Sequence, residues 1–371
     1  MSKIFRCAAA VLLAIVTCAA VAAQTAPDIA ALKAKAESGD AKAQFELGTD
    51  YQNGLDVPLD YPQAAIWFRK AAEHGNAEAQ NGLGDLYYMG WGVLQDYAQA
   101  AIWYRKAAVQ GNAEAQFNLG LLYNNGIGVP LDYSQAAAWN RKAAVQGSAA
   151  AQFTLGVLYD KGHGVPRDEA QAAEWWRKAA TQGSAVAQTD LGSLYFHGRG
   201  VPQDYTQAAY WYRKAAEQGF AGAQSEIGSA YSVGQGVPQD YSQAAAWLRK
   251  AAEQGDPWAQ MNIGSLYFRG QGLAQDYSQA ATWFRKAADQ GITEAQFSLG
   301  LLYAKGQGVP QDYSEAYFWF DLAAAGKLDA PDVKDASQDR DRIASMLAPA
   351  DLSAAQERAR KWFEDHPAKV Q

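Results

Sequence analysis

The stretch AEAQFNLGLLYNNGIGVPLDYSQAAAWNRKAAVQGS, Ala113–Ser148, decides the fold. Its first part, Ala113 to Asn125, has apolar residues at helical spacing and is preceded by Asn112, which can cap a helix start. Gly126-Ile127-Gly128-Val129-Pro130 then breaks the chain. Asp132, with Gln135 three residues on, has the form of a capping box and opens a second helix from Tyr133 to Gln146. Gly147 suits a left-handed close to it.

The same stretch recurs along the chain every 36 residues, eight times in all, without slippage. Leu47-Gly48, Leu83-Gly84, Leu119-Gly120, Leu155-Gly156, Leu191-Gly192, Ile227-Gly228, Ile263-Gly264 and Leu299-Gly300 mark the first helices. Trp67, Trp103, Trp139, Trp175, Trp211, Trp247, Trp283 and Trp319 mark the second. Strict repetition at this length implies an all-α solenoid of helix-turn-helix units, each packed on its neighbours. A mid-helix glycine costs about 1 kcal/mol relative to alanine. Close approach of the paired helix offsets that cost, and Ala136, Ala137 and Trp139 are expected to fill the space around Gly120.

Setting the eight first helices in register at about 100° per residue separates two arcs. Ala115, Gln116, Leu119, Gly120, Leu122 and Tyr123 mark near-constant positions. Glu114, Phe117, Asn118, Leu121, Asn124 and Asn125 mark positions that change between repeats, and they fall on the opposite side. This segregation is expected where the changeable side meets a partner. Three patches on it are the candidate partner-binding residues: Asn81, Asp85 and Tyr88; Asp190, Ser193 and Phe196; and Trp258, Met261, Asn262, Ser265 and Phe268. Aromatics beside small polar groups suit binding hot spots. At 8–10 Å per packed helix the eight units would offer a groove of roughly 70–80 Å. Trp91 and Trp258 lie outside the core columns and are further contact candidates.

The ends depart from the pattern. Lys3 and Arg6 precede an apolar run from Ala8 to Val16, and Val21-Ala22-Ala23 offers a cleavage site, so residues 1–23 read as a secretory signal peptide. The expected location is periplasmic or secreted, and no other segment is apolar enough to span a membrane. Cys7 and Cys18, the two cysteines, would leave with that segment. Its removal takes the formal net charge from −7 to −9, which argues against a nucleic-acid partner. Residues 24–40 read as a lead-in, 41–328 as the repeats and 329–371 as two capping helices, Val333–Leu347 and Asp351–Glu364.

The unit A-x-A-Q-x-x-L-G-x-L-Y-x-x-G-x-G-V-P-x-D-Y-x-Q-A-A-x-W-x-R-K-A-A-x-Q-G resembles the Sel1-like repeat, an α/α relative of the tetratricopeptide group. The resemblance covers residues 41–328. It implies a right-handed superhelix with first helices on the concave side, and work as an exported adaptor. Glu169 stands for the usual Tyr, and Leu94 and Ala274 for the usual Pro.

Chemistry is hard to find in the sequence. The Gly-x-Gly-Val-Pro loops lack the third glycine and preceding strand of a dinucleotide site. The base columns, Arg69 to Arg285 and Lys70 to Lys286, sit near helix C-termini and read as dipole partners more than as a polyanion track. His74, His163, His197 and His366 are scattered, and no nucleophile has a matched base. The resulting expectation is a non-catalytic, monomeric scaffold for a protein or peptide partner, without cofactor or metal. Two alternatives are an envelope polysaccharide binder and, by analogy with cysteine-rich members of the family it resembles, a β-lactam-binding or hydrolysing enzyme.

Overall fold

The computed structural model describes residues 29–326 and 331–366, with the side chains of 331–335 left aside; the expected signal peptide lies outside them. The described residues form helices and no strand. In chain order these are α1 (Ile29–Glu37), α2 (Ala41–Asn53), α3 (Tyr61–Glu73), α4 (Ala77–Met89), α5 (Tyr97–Val109), α6 (Ala113–Asn125), α7 (Tyr133–Val145), α8 (Ala149–Lys161) and α9 (Glu169–Thr181). There follow α10 (Ala185–His197), α11 (Tyr205–Glu217), α12 (Ala221–Val233), α13 (Tyr241–Glu253), α14 (Pro257–Arg269), α15 (Tyr277–Asp289), α16 (Thr293–Lys305), α17 (Tyr313–Ala325), α18 (Pro331–Ala344) and α19 (Pro349–Asp365). They divide into two compact units, one ending at Trp175 and the other starting at Trp176. Within each unit a first helix packs on its own second helix, and that second helix on the next repeat's first helix, giving the all-α solenoid.

Each helix boundary has a local cause. Asn112 Oδ1 accepts from Ala115 N at 2.8 Å to start α6, and Gly126 ends it at φ 65. Asp132 Oδ1 accepts from Ser134 N and Gln135 N at 2.9 and 3.0 Å to start α7. The box is only half closed, however. The Asp132 N–H donates to Tyr123 O at 3.0 Å, so the Gln135 side chain is not needed for it. Gln146 is the capping residue of α7, and Gly147 after it makes the expected left-handed close at φ 97, its N–H on Ala144 O and that of Ser148 on Ala143 O.

The near-constant arc is the packed arc: Ala115, Gln116, Leu119, Gly120, Leu122 and Tyr123 are all buried. Ala136 stands beside Gly120 as expected, its O 3.4 Å from where a Cβ would lie, but the side chain that fills the space is the residue after the Trp and not the Trp. A Cβ on Gly84 would lie 2.6 Å from the Tyr104 ring; on Gly120, 2.5 Å from Asn140 Nδ2; on Gly264, 2.7 Å from Phe284. Trp139 instead presents its ring to Lys142, whose Nζ lies 4.0 Å from the centroid, and Trp67, Trp103, Trp247 and Trp283 repeat this cation–π contact.

Three devices tie repeats together. The buried Gln116 donates to Ala108 O at 3.0 Å and accepts from Gln146 Nε2 at 2.8 Å, and the same bonds recur at Gln80, Gln188, Gln224 and Gln260. A buried amide so paired fixes register, because a shift would orphan it. The Arg column clamps the next repeat: Arg177 to Tyr195, Arg213 to Tyr231 and Arg249 to Tyr267, each at 2.8 Å. The loop glycine packs against backbone. Gly128 has φ 68, and a Cβ there would sit 2.3 Å from Tyr97 O. Asp56 holds that place in the first repeat, where no Tyr-led second helix precedes it, and no described non-glycine residue has a positive φ.

At the far end, α18 and α19 depart from the expected ranges by a few residues and bury Ala336, Ile343, Ala355 and Ala359. Ile343 joins Tyr317 and Phe320 in one apolar cluster on which Phe297, Leu301 and Ala304 of α16 also pack. Arg340 pairs with Asp321 at 3.3 Å.

Candidate interaction surface

Most changing positions of the first helices stay outside the core, with Asn81 and Ser225 buried and Phe297, Leu301 and Ala304 packed against the terminal cluster. In α6, Glu114 and Asn125 are exposed, and Phe117, Asn118, Leu121 and Asn124 are half-buried. How much of this surface is available differs from patch to patch.

In the first unit, Asn81 is nearly fully buried at 5% exposure, while Asp85 and Tyr88 are half-buried. Asp85 is the centre of a polar cluster. Its Oδ1 accepts from Tyr104 OH at 2.7 Å and from Asn118 Nδ2 at 3.4 Å, and its Oδ2 from Asn81 Nδ2 at 3.4 Å. Asn118 Nδ2 also reaches Asn81 Oδ1 at 3.2 Å. Burial pushes the Asp85 carboxyl up to about 6; the Tyr104 bond opposes this and Glu114 adds to it. Burial first, then the neighbouring Asp85, raises the Tyr104 phenol well above its ordinary range. Tyr104 and Asn118 are therefore members of the site that sequence reasoning did not select. Tyr104 follows a core Trp and reads as packing, while Asn118 is visible in the sequence as a changing position.

In the second unit the aromatics are partly committed. Phe196 packs edge-on to Tyr205, and Phe268 to Tyr277, each with centroids 5.3 Å apart; Tyr88 does the same to Tyr97. Met261 and Phe268 also lean on the apolar cluster shared by α15 and the last repeat. Asp190 and Ser193 are half-buried beside Tyr212, whose phenol is raised chiefly by burial. Ser193 Oγ lies 3.4 Å from His197 Nδ1. Asn262 Nδ2 donates to Ser229 Oγ at 3.1 Å, and Ser265 is half-buried. Trp258 is the most open of the chosen residues at 52% exposure. Trp91, exposed to 42%, stacks on Tyr61 at 5.1 Å.

Among the described residues no group of three or more His, Cys, Asp or Glu could hold a metal, and no helix is long and apolar enough to cross a membrane.

The repeats match the Sel1 repeat over residues 41–76, 77–112, 113–148, 149–184, 185–220, 221–256, 259–292 and 293–327. The chain belongs to the Sel1 repeat family. Among solved Sel1 structures, it is similar to c5321, a protective antigen present in uropathogenic Escherichia coli strains, at 32% identity and a TM-score of 0.58, covering 91% of this chain and 95% of that one. It is also similar to a Sel1 repeat protein from Oxalobacter formigenes at 36% identity and a TM-score of 0.62, covering 86% and 91%. A curated relative, the secretory immunoglobulin A-binding protein EsiB of Escherichia coli O6:H1, is 58% identical over 40 residues. That match spans 11% of this chain and only 8% of EsiB.

Proposed function

We propose that this Sel1 chain is an exported, non-catalytic scaffold that holds a protein or peptide partner against the changing face of its first helices. One observation carries the reading. In α6 the six near-constant positions are buried and the six changing ones half-buried or exposed, and the other first helices follow this division except chiefly at Asn81 and Ser225, which are buried, and at the Tyr column, which is mostly half-buried, so variation is concentrated where packing constrains it least. Two features support it further. The apolar run after Lys3 and Arg6 suits secretion, and the relative EsiB is named for binding a secreted protein. The Trp258, Met261, Asn262, Ser265 and Phe268 patch offers one open aromatic with small polar neighbours, the make-up of a hot spot with a polar rim.

Photo-crosslinking from residue 258, and from the exposed residue 346 after α18 as the control, tests this in cells that export the chain. A partner captured from 258 and not from 346, and lost when Asn262 is changed to Asp, is the expected result. Equal capture from both positions removes the first-helix face from consideration.

A further inference from the structure

The second helices carry a cleft that the first-helix reading does not use. In the second unit it opens between α11, α12 and α13, with a volume of about 460 Å³, and is lined by Arg213, Tyr231, Gln239, Asp240, Gln243 and Trp247. Arg213 donates one of its N–H groups to Tyr231 OH, leaving others of its five. One Asp240 oxygen accepts from the backbone N–H groups of Ser242 and Gln243.

Two repeats later, the corresponding positions are Arg285, Tyr303, Asp312, Glu315 and Trp319, so a carboxylate stands where Gln243 stands. There the chain shows what this arrangement accepts. Trp319 Nε1 donates to Glu315 Oε2 at 3.1 Å, and Arg285 Nη2 lies 3.7 Å from that oxygen while also donating to Tyr303 OH. Arg358 of α19 closes the far side, donating to Glu315 Oε1 at 2.7 Å and lying over the Phe318 ring. The last repeat is thus a filled copy of the cleft. Trp211 gives the complementary observation. It is 9% exposed, Gln207 holds the place of Glu315, and its buried Nε1 has no hydrogen-bond partner. A buried N–H lacking an acceptor is costly, so such a site favours whatever supplies one.

We infer that the clefts at Arg177/Trp211, Arg213/Trp247 and Arg249/Trp283 take the carboxylate side chains of an acidic peptide segment, one per repeat, in the way the last repeat takes Glu315. A carboxylate on a short aliphatic arm fits because guanidinium and indole N–H grip its oxygens while Pro238 and the aromatic rings contact the arm. Phosphate polymers are disfavoured. Asp240 shares the cleft, and the last repeat shows a singly charged carboxylate coexisting with the corresponding Asp312. Equivalent clefts in neighbouring repeats add avidity to weak single contacts. The site lies on the second helices and does not rest on the first-helix reading.

The test uses the full chain, with labelled oligo-glutamate and labelled oligo-glutamine as probes in fluorescence anisotropy at low salt. Oligo-glutamate is expected to bind at least about tenfold more tightly than oligo-glutamine. The combined variant Gln207→Glu, Gln243→Glu, Gln279→Glu puts an internal carboxylate into each cleft. It is expected to keep its thermal midpoint and to lose oligo-glutamate about tenfold. Should that variant fold poorly, Trp211→Phe with Trp247→Phe keeps an aromatic ring at each place while removing the indole N–H together with the pyrrole ring; it is expected to weaken binding with an unchanged circular dichroism spectrum. Equal binding of the two peptides, or undiminished oligo-glutamate binding by a folded variant, overturns the inference. So does binding of polygalacturonate without oligo-glutamate, which would make the occupant a polysaccharide.

Discussion

Repeat 2 (77–112) and repeat 8 (293–327) are built on one frame and use their changing positions in opposite ways. In repeat 8 those positions hold Phe297, Leu301 and Ala304, which pack with Ile343 and Tyr317 under the chain's own terminal helices. In repeat 2 they hold Asn81 and Asp85, tied into a hydrogen-bonded cluster with Tyr104 and Asn118, and Tyr88, which packs edge-on to Tyr97. The shared columns make the solenoid, and the changing columns decide whether its face is sealed with apolar groups or kept polar. Only the sealed repeat needs a cover, because an uncovered apolar patch at the end of a solenoid would invite further stacking.

The largest expected effect tests whether the two repeats share their frame. Gly84 and Gly300 face Tyr104 and Phe320, with a Cβ meeting ring atoms at 2.6 and 2.8 Å. Gly84→Leu and Gly300→Leu should each cost more than about 3 kcal/mol, beyond the usual overpacking penalty, since both ring and helix must move. Urea unfolding measures it; a variant with the wild-type midpoint would show that the helices can separate without loss.

Next comes the cover itself. Ile343 is 2% exposed, so Ile343→Ala should cost about 2–4 kcal/mol and increase binding of a hydrophobic dye, whereas the exposed Met346→Ala should cost under about 0.5 kcal/mol. Similar thermal shifts for the two would mean that α18 does not seal repeat 8.

Much of this contrast could be read from the sequence, for a physical reason. The repeat period, the caps and the helix limits follow from local chemistry, and α6 spans the residues its pattern implies. Contacts between columns are harder to read. Helix rotation decides whether Trp139 or Asn140 meets Gly120, and spacing alone does not set that rotation. For the same reason Tyr104 was hidden as a core residue while acting as the main donor to Asp85. The commitment of Phe196 and Phe268 to Tyr205 and Tyr277 depends on ring orientation, which a changing column does not reveal.

The polar side of the comparison has a pH signature. The folded Asp85 carboxyl holds its proton up to about pH 6, and an unfolded one only to about pH 4. Between those values the folded state carries the extra proton, so this residue's contribution to stability falls as pH rises from about 4 to 6 and stays low above that. Asp85→Asn keeps the shape and removes the charge. It should therefore stabilise the chain by about 1–2 kcal/mol at pH 7, and the gain should shrink toward zero near pH 4. A constant difference across that range, measured by thermal unfolding, would show that the cluster responds to the amide itself and not to the charge.

The smallest effect concerns the ties that both repeats share. Tyr267→Phe removes the hydroxyl that accepts from Arg249 at 2.8 Å and leaves the ring under the guanidinium, 6.0 Å from its centroid. Because the Arg249 head can turn to water, the loss should be below about 1 kcal/mol. Tyr267→Ala, which also removes a half-buried ring from between two repeats, should cost several times more. If the two substitutions cost the same, the clamp works through its hydrogen bond; the expected gap assigns most of the inter-repeat adhesion to the ring, with the Arg–Tyr bond setting direction more than strength.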